Sequence, residues 1–340
     1  MKKFGKFLLL AAFILSGAVS LFAAGTMGLV SQEAGSGVHE LVLLHTNDHH
    51  GTVLPRSGVG GLAERAAFVR SVKEQHQNVL LLDAGDMNTG TALSNMFQAA
   101  PDLLAYNMMG YDAMTFGNHE YNEGLARMEN QMALADFPMF SSNVRRPDGS
   151  YLGGQQYVVK EYDGFKVGIF AITTLRALVI SNPDRSLTFI NEIAAAQEAV
   201  NLLRYVEGVD VIIGLVHMGT TKESPEHITS QELAMAVNGI DIIVDGHSHT
   251  FMEVPLTVGN TFIVSAHERG GIVGQGTLRI YDGRLRNFYW APVEIAGIAP
   301  DAQVNAMLSP FIELANISLT EVVGTAAETF RFGNRETRFQ

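Results

Sequence analysis

The feature that most constrains this chain is a repeated pairing. A short apolar run that reads as a strand is followed at once by side chains able to hold a metal. The runs are Leu41–Thr46, Val79–Asp83, Ala113–Phe116, Val167–Thr173, Val209–Val216, Ile240–Asp245 and Thr261–Ser265. Such short, unbroken, β-branched or leucine-rich runs are what strands buried on both faces of a mostly parallel or mixed sheet require. Five clusters carry most of the ligand-competent residues, and four of them follow a predicted strand directly. They are Asn47-Asp48-His49-His50, Gly85-Asp86-Met87-Asn88, Gly117-Asn118-His119-Glu120, His217, and Gly246-His247-Ser248-His249. In α/β sheets ligands bind beyond the carboxyl ends of strands, so clusters far apart in sequence can converge on one crevice. Three of the five are flanked by a glycine, which lets backbone approach a site closely.

Between the runs, Leu62, Ala66 and Val69 share one helical face, as do Ile193, Ala196, Val200 and Leu203. Thr229–Val237 and Glu123–Leu134 are further predicted helices, and Asp163-Gly164 and Asp282-Gly283 read as hairpin turns. The class is α/β with an antiparallel portion late in the core. After Trp290, Pro292, Pro300 and Pro310 punctuate the chain, and an apolar helical stretch is expected around Met307–Val323.

Composition narrows the chemistry. The chain has 340 residues and no cysteine, which excludes disulfides, thiolate nucleophiles, iron–sulfur clusters and Cys-held zinc, leaving His, Asp, Glu, Asn or Gln as metal ligands. Its formal charge of −12 argues against a nucleic-acid partner held by phosphate neutralisation. Lys2, Lys3 and Lys6 precede an uncharged run from Phe7 to Ala24, the layout of a secretory signal peptide over residues 1–24. A periplasmic or extracellular location is expected, with an uncleaved anchor as the alternative and the only membrane contact.

In order, Asp48-His49-His50, Gly85-Asp86, Gly117-Asn118-His119-Glu120, His217 and Gly246-His247-Ser248-His249 resemble the motif series of the calcineurin-like metallophosphoesterases. More narrowly, Leu44 to Gly51, Gly110-Tyr111-Asp112-Ala113-Met114 and Gly246 to His249 resemble the secreted bacterial 5′-nucleotidase/UDP-sugar hydrolase group. The resemblance implies a four-layer α/β/β/α metallophosphoesterase sandwich with two mixed sheets, its catalytic domain spanning 40–295. Residues 296–340 would form a linker helix and the start of an absent C-terminal nucleotide-binding domain, which Arg335-Glu336-Thr337 resembles.

The same resemblance implies two divalent metal ions, either Zn, Mn, Co or Fe. Asp48, His50 and His249 would hold the first, Asn118, His217 and His247 the second, and Asp86 would bridge. His119 would protonate the leaving alkoxide or stabilise the transition state, while the metals activate water for in-line attack on phosphorus. The expected substrate is a nucleotide or another phosphate ester, taken by a monomer. A relative acting on nucleotide sugars, cyclic nucleotides or sulfur esters, and a metal-loaded secreted binding protein, are the alternatives.

One position departs from the group. Its members continue Gly-Asn-His-Glu-aromatic-Asp, whereas Asn122 stands here in the place of that Asp, with Glu123 next to it as an alternative partner for His119. Asparagine can hydrogen-bond an imidazole but cannot stabilise imidazolium by charge, so reduced activity or a moved pH optimum is expected.

Other features carry less. His45 and His49 are expected to be structural or to support ligands, as are Asp83 and Asp245, and His39, His76 and His227 are expected at the surface. Gly58-Val59-Gly60-Gly61-Leu62-Ala63 lies too far from its strand for a dinucleotide fingerprint, and no other cofactor is expected.

Overall fold

The computed structural model describes residues 37–320. The predicted signal segment 1–24 and Arg335-Glu336-Thr337 lie outside the described residues. Two six-stranded mixed sheets form the middle of the molecule. In the first, β1 (Val38–Thr46), β2 (Val79–Asp83), β3 (Ala113–Thr115) and β4 (Met139–Phe140) run parallel, and β1 also pairs antiparallel with the hairpin β13 (Ile272–Tyr281) and β14 (Arg284–Glu294). In the second, β7 (Phe165–Thr173), β9 (Val211–His217), β10 (Ile242–Asp245) and β12 (Thr261–Val264) are parallel, with β6 (Tyr157–Tyr162) and β11 (Leu256–Val258) antiparallel at the edges. A small pair, β5 (Val144–Arg145) with β8 (Thr188–Phe189), stands apart. The expected turns Asp163-Gly164 and Asp282-Gly283 link β6 to β7 and β13 to β14.

Strand periodicity explains the layers. Successive side chains of β1 point to opposite faces. Leu41 and Leu43 enter the core between the sheets, with Leu80, Val167, Ile213 and Val244. Val42 and Leu44 enter an outer core against α1 (Leu62–Gln75), α3 (Ala100–Met109) and α4 (Leu125–Leu134), which contribute Leu62, Ala66, Val69, Leu103, Tyr106 and Met128. On the far side, Phe170, Ile172 and Ile212 meet α6 (Glu192–Leu202) and α7 (Ser230–Ala236) through Ala196, Val200 and Leu233. Burial on both faces is why these strands read as continuous apolar runs rather than alternating ones. The order is helices, sheet, sheet, helices, as the resemblance implies.

Short helices α2 (Ala92–Met96) and α5 (Ala177–Ile180) sit in connections. The last helix of the described residues, α8 (Ala302–Thr320), begins five residues before the expected Met307 and carries Pro310 within it, while the expected end at Val323 lies outside the described residues. Asp301 starts it by accepting from the backbone N–H of Gln303 and Val304, and its carboxylate pairs with Arg70 of α1 at 2.7 Å. Val304, Leu308 and Ala315 pack into the outer core beside α1 and α3. Among the described residues no helix is long and apolar enough to cross a membrane.

Candidate metal centre

The carboxyl ends of β1, β2, β3, β9 and β10 meet at one rim, and each contributes a loop of the predicted ligand clusters. All seven predicted metal-holding side chains converge there in two groups. In one, His50 Nε2 lies 3.0 Å from His249 Nε2, and Asp48 Oδ1 is 3.5 Å from His249 Nε2 and 4.0 Å from His50 Nε2. In the other, His217 Nε2 is 3.1 Å from Asp86 Oδ2, and His247 Nδ1 is 2.8 Å from Asn118 Oδ1. Asp48 Oδ1 is also 4.0 Å from His217 Nε2, so the groups adjoin.

The residues fit divalent cations on three observations. First, the donors are carboxylate, carboxamide and imidazole, the set that borderline divalent ions accept. Second, His217 Nε2 is fully buried without a hydrogen-bond partner, although Asp86 is close; a buried polar nitrogen left so is costly unless something else takes its lone pair. Third, the electrostatics ask for positive charge. Burial, the largest single effect, would lower His217, but its contacts with Asp86, the charge of Asp48 and the Ala84 carbonyl together outweigh it and push the imidazole up to about 10. Burial likewise acts to raise Asp86, yet His217 first, then His119 and His50, together hold it well below the usual carboxylate range. The Asp86 carboxylate thus favours a positive charge beside it, whether a proton on His217 or a bound cation. His247, by contrast, is lowered to about 4, by burial first and then by the charge on His217.

Backbone strain concentrates at the same loops. Asp48, His50, Asp86, His247 and His249 all have φ between 49° and 79°, a left-handed region that non-glycine residues rarely occupy. Close approach explains the glycines. A Cβ on Gly117 would sit 2.1 Å from Asp86 Oδ1, and one on Gly246 would sit 2.7 Å from His217 Nδ1.

The loops are held by groups outside the ligand set. Asn47 donates to Asp48 Oδ2 at 2.6 Å and to the His267 carbonyl, while its own oxygen accepts from Ala266 N–H. Glu120, which sequence reasoning left without a role, is buried and accepts from the backbone N–H groups of Asp86, Asn88 and Gly117 at 2.9, 3.0 and 2.7 Å. One carboxylate therefore ties the second ligand loop to the third. Burial and then the charge of Asp86 push it up to about 7. Its signal was its place: a glutamate between a cluster histidine and an apolar tyrosine.

Behind the first loop, the fully buried Arg65 donates to His49 Nδ1 at 2.8 Å, and His49 Nε2 lies 3.0 Å from Asp102 Oδ1. Because a guanidinium only donates, His49 Nδ1 accepts and its Nε2–H faces Asp102. His49 is structural, as expected. Asp83 accepts from Thr46, Tyr106 and Gly85, and Asp245 accepts from Met218 and Gly219 N–H, so both brace strand ends. His227 departs from expectation. It is buried, accepting from Glu223 N–H and facing the Met218 carbonyl at 2.6 Å, because it closes the loop after β9.

His119 stands at the edge of the cluster. Its Nε2 is 3.9 Å from Asp86 Oδ2, and its side chain is 34% exposed, enough to meet a bound molecule. Asn122 Nδ2 lies 2.7 Å from His119 Nδ1, whereas Glu123 pairs instead with Arg127 at 3.0 Å.

Comparison with known proteins agrees with this geometry. The calcineurin-like phosphoesterase family profile matches residues 41–251. The chain is 37% identical over 255 residues to a snake venom 5′-nucleotidase of Gloydius brevicauda, covering 70% of this chain and 41% of that protein. It is 32% identical over 302 residues to a 5′-nucleotidase of Vibrio vulnificus, covering 80% of this chain and 55% of the relative. The chain thus spans about half the length of these relatives. The crystal structure of a 5′-nucleotidase precursor from Thermus thermophilus superposes with a TM-score of 0.74 at 28% identity, covering 84% of this chain and 61% of that one. With the four layers, the ordered loops and the profile match in accord, the chain belongs to the calcineurin-like phosphoesterase family.

Proposed function

We propose that the chain is a secreted dinuclear-metal phosphohydrolase, acting as a 5′-nucleotidase that releases phosphate from nucleotides. The observation that carries this reading is the convergence of Asp48, His50 and His249 on one side and Asn118, His217 and His247 on the other, with Asp86 reaching between them. The named activity of the venom, Vibrio and Thermus relatives supports the nucleotide as substrate. The charged-then-apolar start of the chain supports secretion.

Asp48, His50 and His249 would hold one divalent ion, Asn118, His217 and His247 the other, and Asp86 both. Such ions, when bound, polarise phosphoryl oxygens and lower the pKa of water so that it can attack phosphorus. The protein's part is position. Asp48 is fixed by Asn47 and by His247 N–H at 3.1 Å, and the Asp86 loop by Glu120. His119 faces the leaving group: with Nδ1 accepting from Asn122, the neutral ring carries its proton on Nε2, the nitrogen turned toward the cluster. From there the Nε2–H would hydrogen-bond the departing alkoxide and stabilise its charge; proton transfer to that oxygen would require the imidazolium form, with the Asn122 carboxamide turned so that its oxygen accepts from Nδ1–H.

The test is phosphate release from AMP and from p-nitrophenyl phosphate with added Mn²⁺, Zn²⁺ or Co²⁺, beside Asp86→Ala. Metal-dependent release from AMP that the substitution abolishes is expected. No release from either ester while metals bind would favour a metal-loaded binding protein, for which the asparagine at 122 is the argument.

A further inference from the structure

The four imidazoles of the centre are held from behind in two different ways. His50 Nδ1 faces the Thr89 carbonyl at 3.2 Å, and His217 Nδ1 faces the Ala84 carbonyl at 2.7 Å. The other two face carboxylates. His247 Nε2 is 3.1 Å from Glu223 Oε1, and His249 Nδ1 is 3.2 Å from Glu268 Oε2. Each carboxylate meets an arginine in turn: Arg176 Nε lies 3.3 Å from Glu223 Oε2, and Arg269 Nε lies 3.2 Å from Glu268 Oε2. Each group of the centre therefore contains one carbonyl-backed and one carboxylate-backed histidine. Glu223 comes from the loop after β9 and Glu268 from the segment after β12, and neither belongs to the five ligand clusters.

We propose that Glu223 and Glu268 are positioning residues that set the metal affinity of the two sites separately, Glu223 through His247 and Glu268 through His249. The proposal rests on the metal centre described above. An imidazole can offer a lone pair at one nitrogen only if the other carries the proton. The two histidines do this with opposite nitrogens, since His247 turns Nδ1 toward Asn118 and His249 turns Nε2 toward Asp48. A carboxylate behind the ring fixes that tautomer and makes the ligating nitrogen more basic than a backbone carbonyl does. His247 Nε2 is buried without a hydrogen-bond partner, and the Glu223 carboxylate 3.1 Å away is the acceptor placed to take its proton. The arginines hold the carboxylates in place and draw off part of their charge. Metals can thereby be gripped firmly on one histidine of each site without a fully charged partner behind it.

The experiment is calorimetric titration of the metal-free full chain with Mn²⁺, for wild type, Glu223→Gln and Glu268→Gln, together with the thermal midpoint of each metal-free protein. Glutamine keeps the shape but not the charge. Each substitution is expected to weaken one of two binding steps by about 10–100-fold, a different step in each variant, with metal-free midpoints unchanged. Wild-type affinity in both variants would overturn the proposal, as would affinity losses that merely follow lowered midpoints. Absence of Mn²⁺ binding by wild type would instead overturn the metal centre, and this proposal with it.

Discussion

The side-chain amide of Asn122 lies 2.7 Å from Nδ1 of His119, so the ring is oriented by a neutral group. Aspartate at this position would orient it equally and would also stabilise the charged ring. Asn122→Asp is therefore expected to raise kcat for AMP by about tenfold or more, within the range general acid catalysis commands, and to shift the pH–rate profile. Identical profiles for the two proteins would show that charge on this pair is irrelevant to turnover.

Gly117 leaves no room for a side chain. A Cβ there would stand 2.1 Å from Asp86 Oδ1 and 2.5 Å from Asp86 N, both of which must move to admit it. Displacing a reacting group by an ångström costs about a hundredfold in rate. Gly117→Ala is expected to lose at least that in phosphate release and to bind less metal per chain, measured by elemental analysis after dialysis. Unchanged metal content would contradict it.

Glu120 satisfies three backbone N–H groups with two carboxylate oxygens. Glutamine at 120 offers one acceptor and turns an NH₂ toward a donor. Glu120→Gln is expected to cost about 1–3 kcal/mol of stability by denaturant unfolding, the cost of a buried group left unpaired, and to weaken metal binding. A variant as stable as wild type would mean that the loops hold without this carboxylate.

Acid sensitivity should follow from His45. The ring is buried, accepts from Trp290 Nε1 at 3.0 Å, and is lowered by burial to about 3. As pH falls below 6.5 the unfolded chain takes up a proton here that the folded chain refuses until about pH 3. Stability therefore declines with falling pH across that window, by about 1.4 kcal/mol per unit from this group. Denaturant unfolding of the metal-free protein at pH 7, 6 and 5 checks it, with His45→Gln expected to flatten the slope by one proton. A slope unchanged by the substitution would assign the acid response elsewhere.

How much was legible in the sequence follows from what each residue contacts. β1, β2 and β9 were legible because both faces of each are buried, which produces unbroken apolar runs. The ligand loops were legible because Asp, His and Asn clustered at strand ends have no packing explanation. Helix α3 was not, since Pro101, Asp102, Leu103, Ala105, Tyr106 and Met109 are all buried and leave little polar face to set a period. Glu120, Glu223 and Glu268 were missed for another reason. Their work is done through backbone N–H groups and imidazole nitrogens brought close only by folding, and a glutamate in a loop ordinarily reads as solvated. His227 shows the same blindness in reverse, a lone histidine taken for surface that closes a loop from inside.

Hydrolysis of a phosphate ester at this rim is expected to need two metal ions and Asp86. That requirement is tested most directly by titrating the metal-free chain with Mn²⁺ while following hydrolysis of p-nitrophenyl phosphate. Activity should rise to a plateau at two Mn²⁺ per chain and be absent in Asp86→Ala at every ratio. Hydrolysis that needs no metal, or that survives in Asp86→Ala, would contradict it.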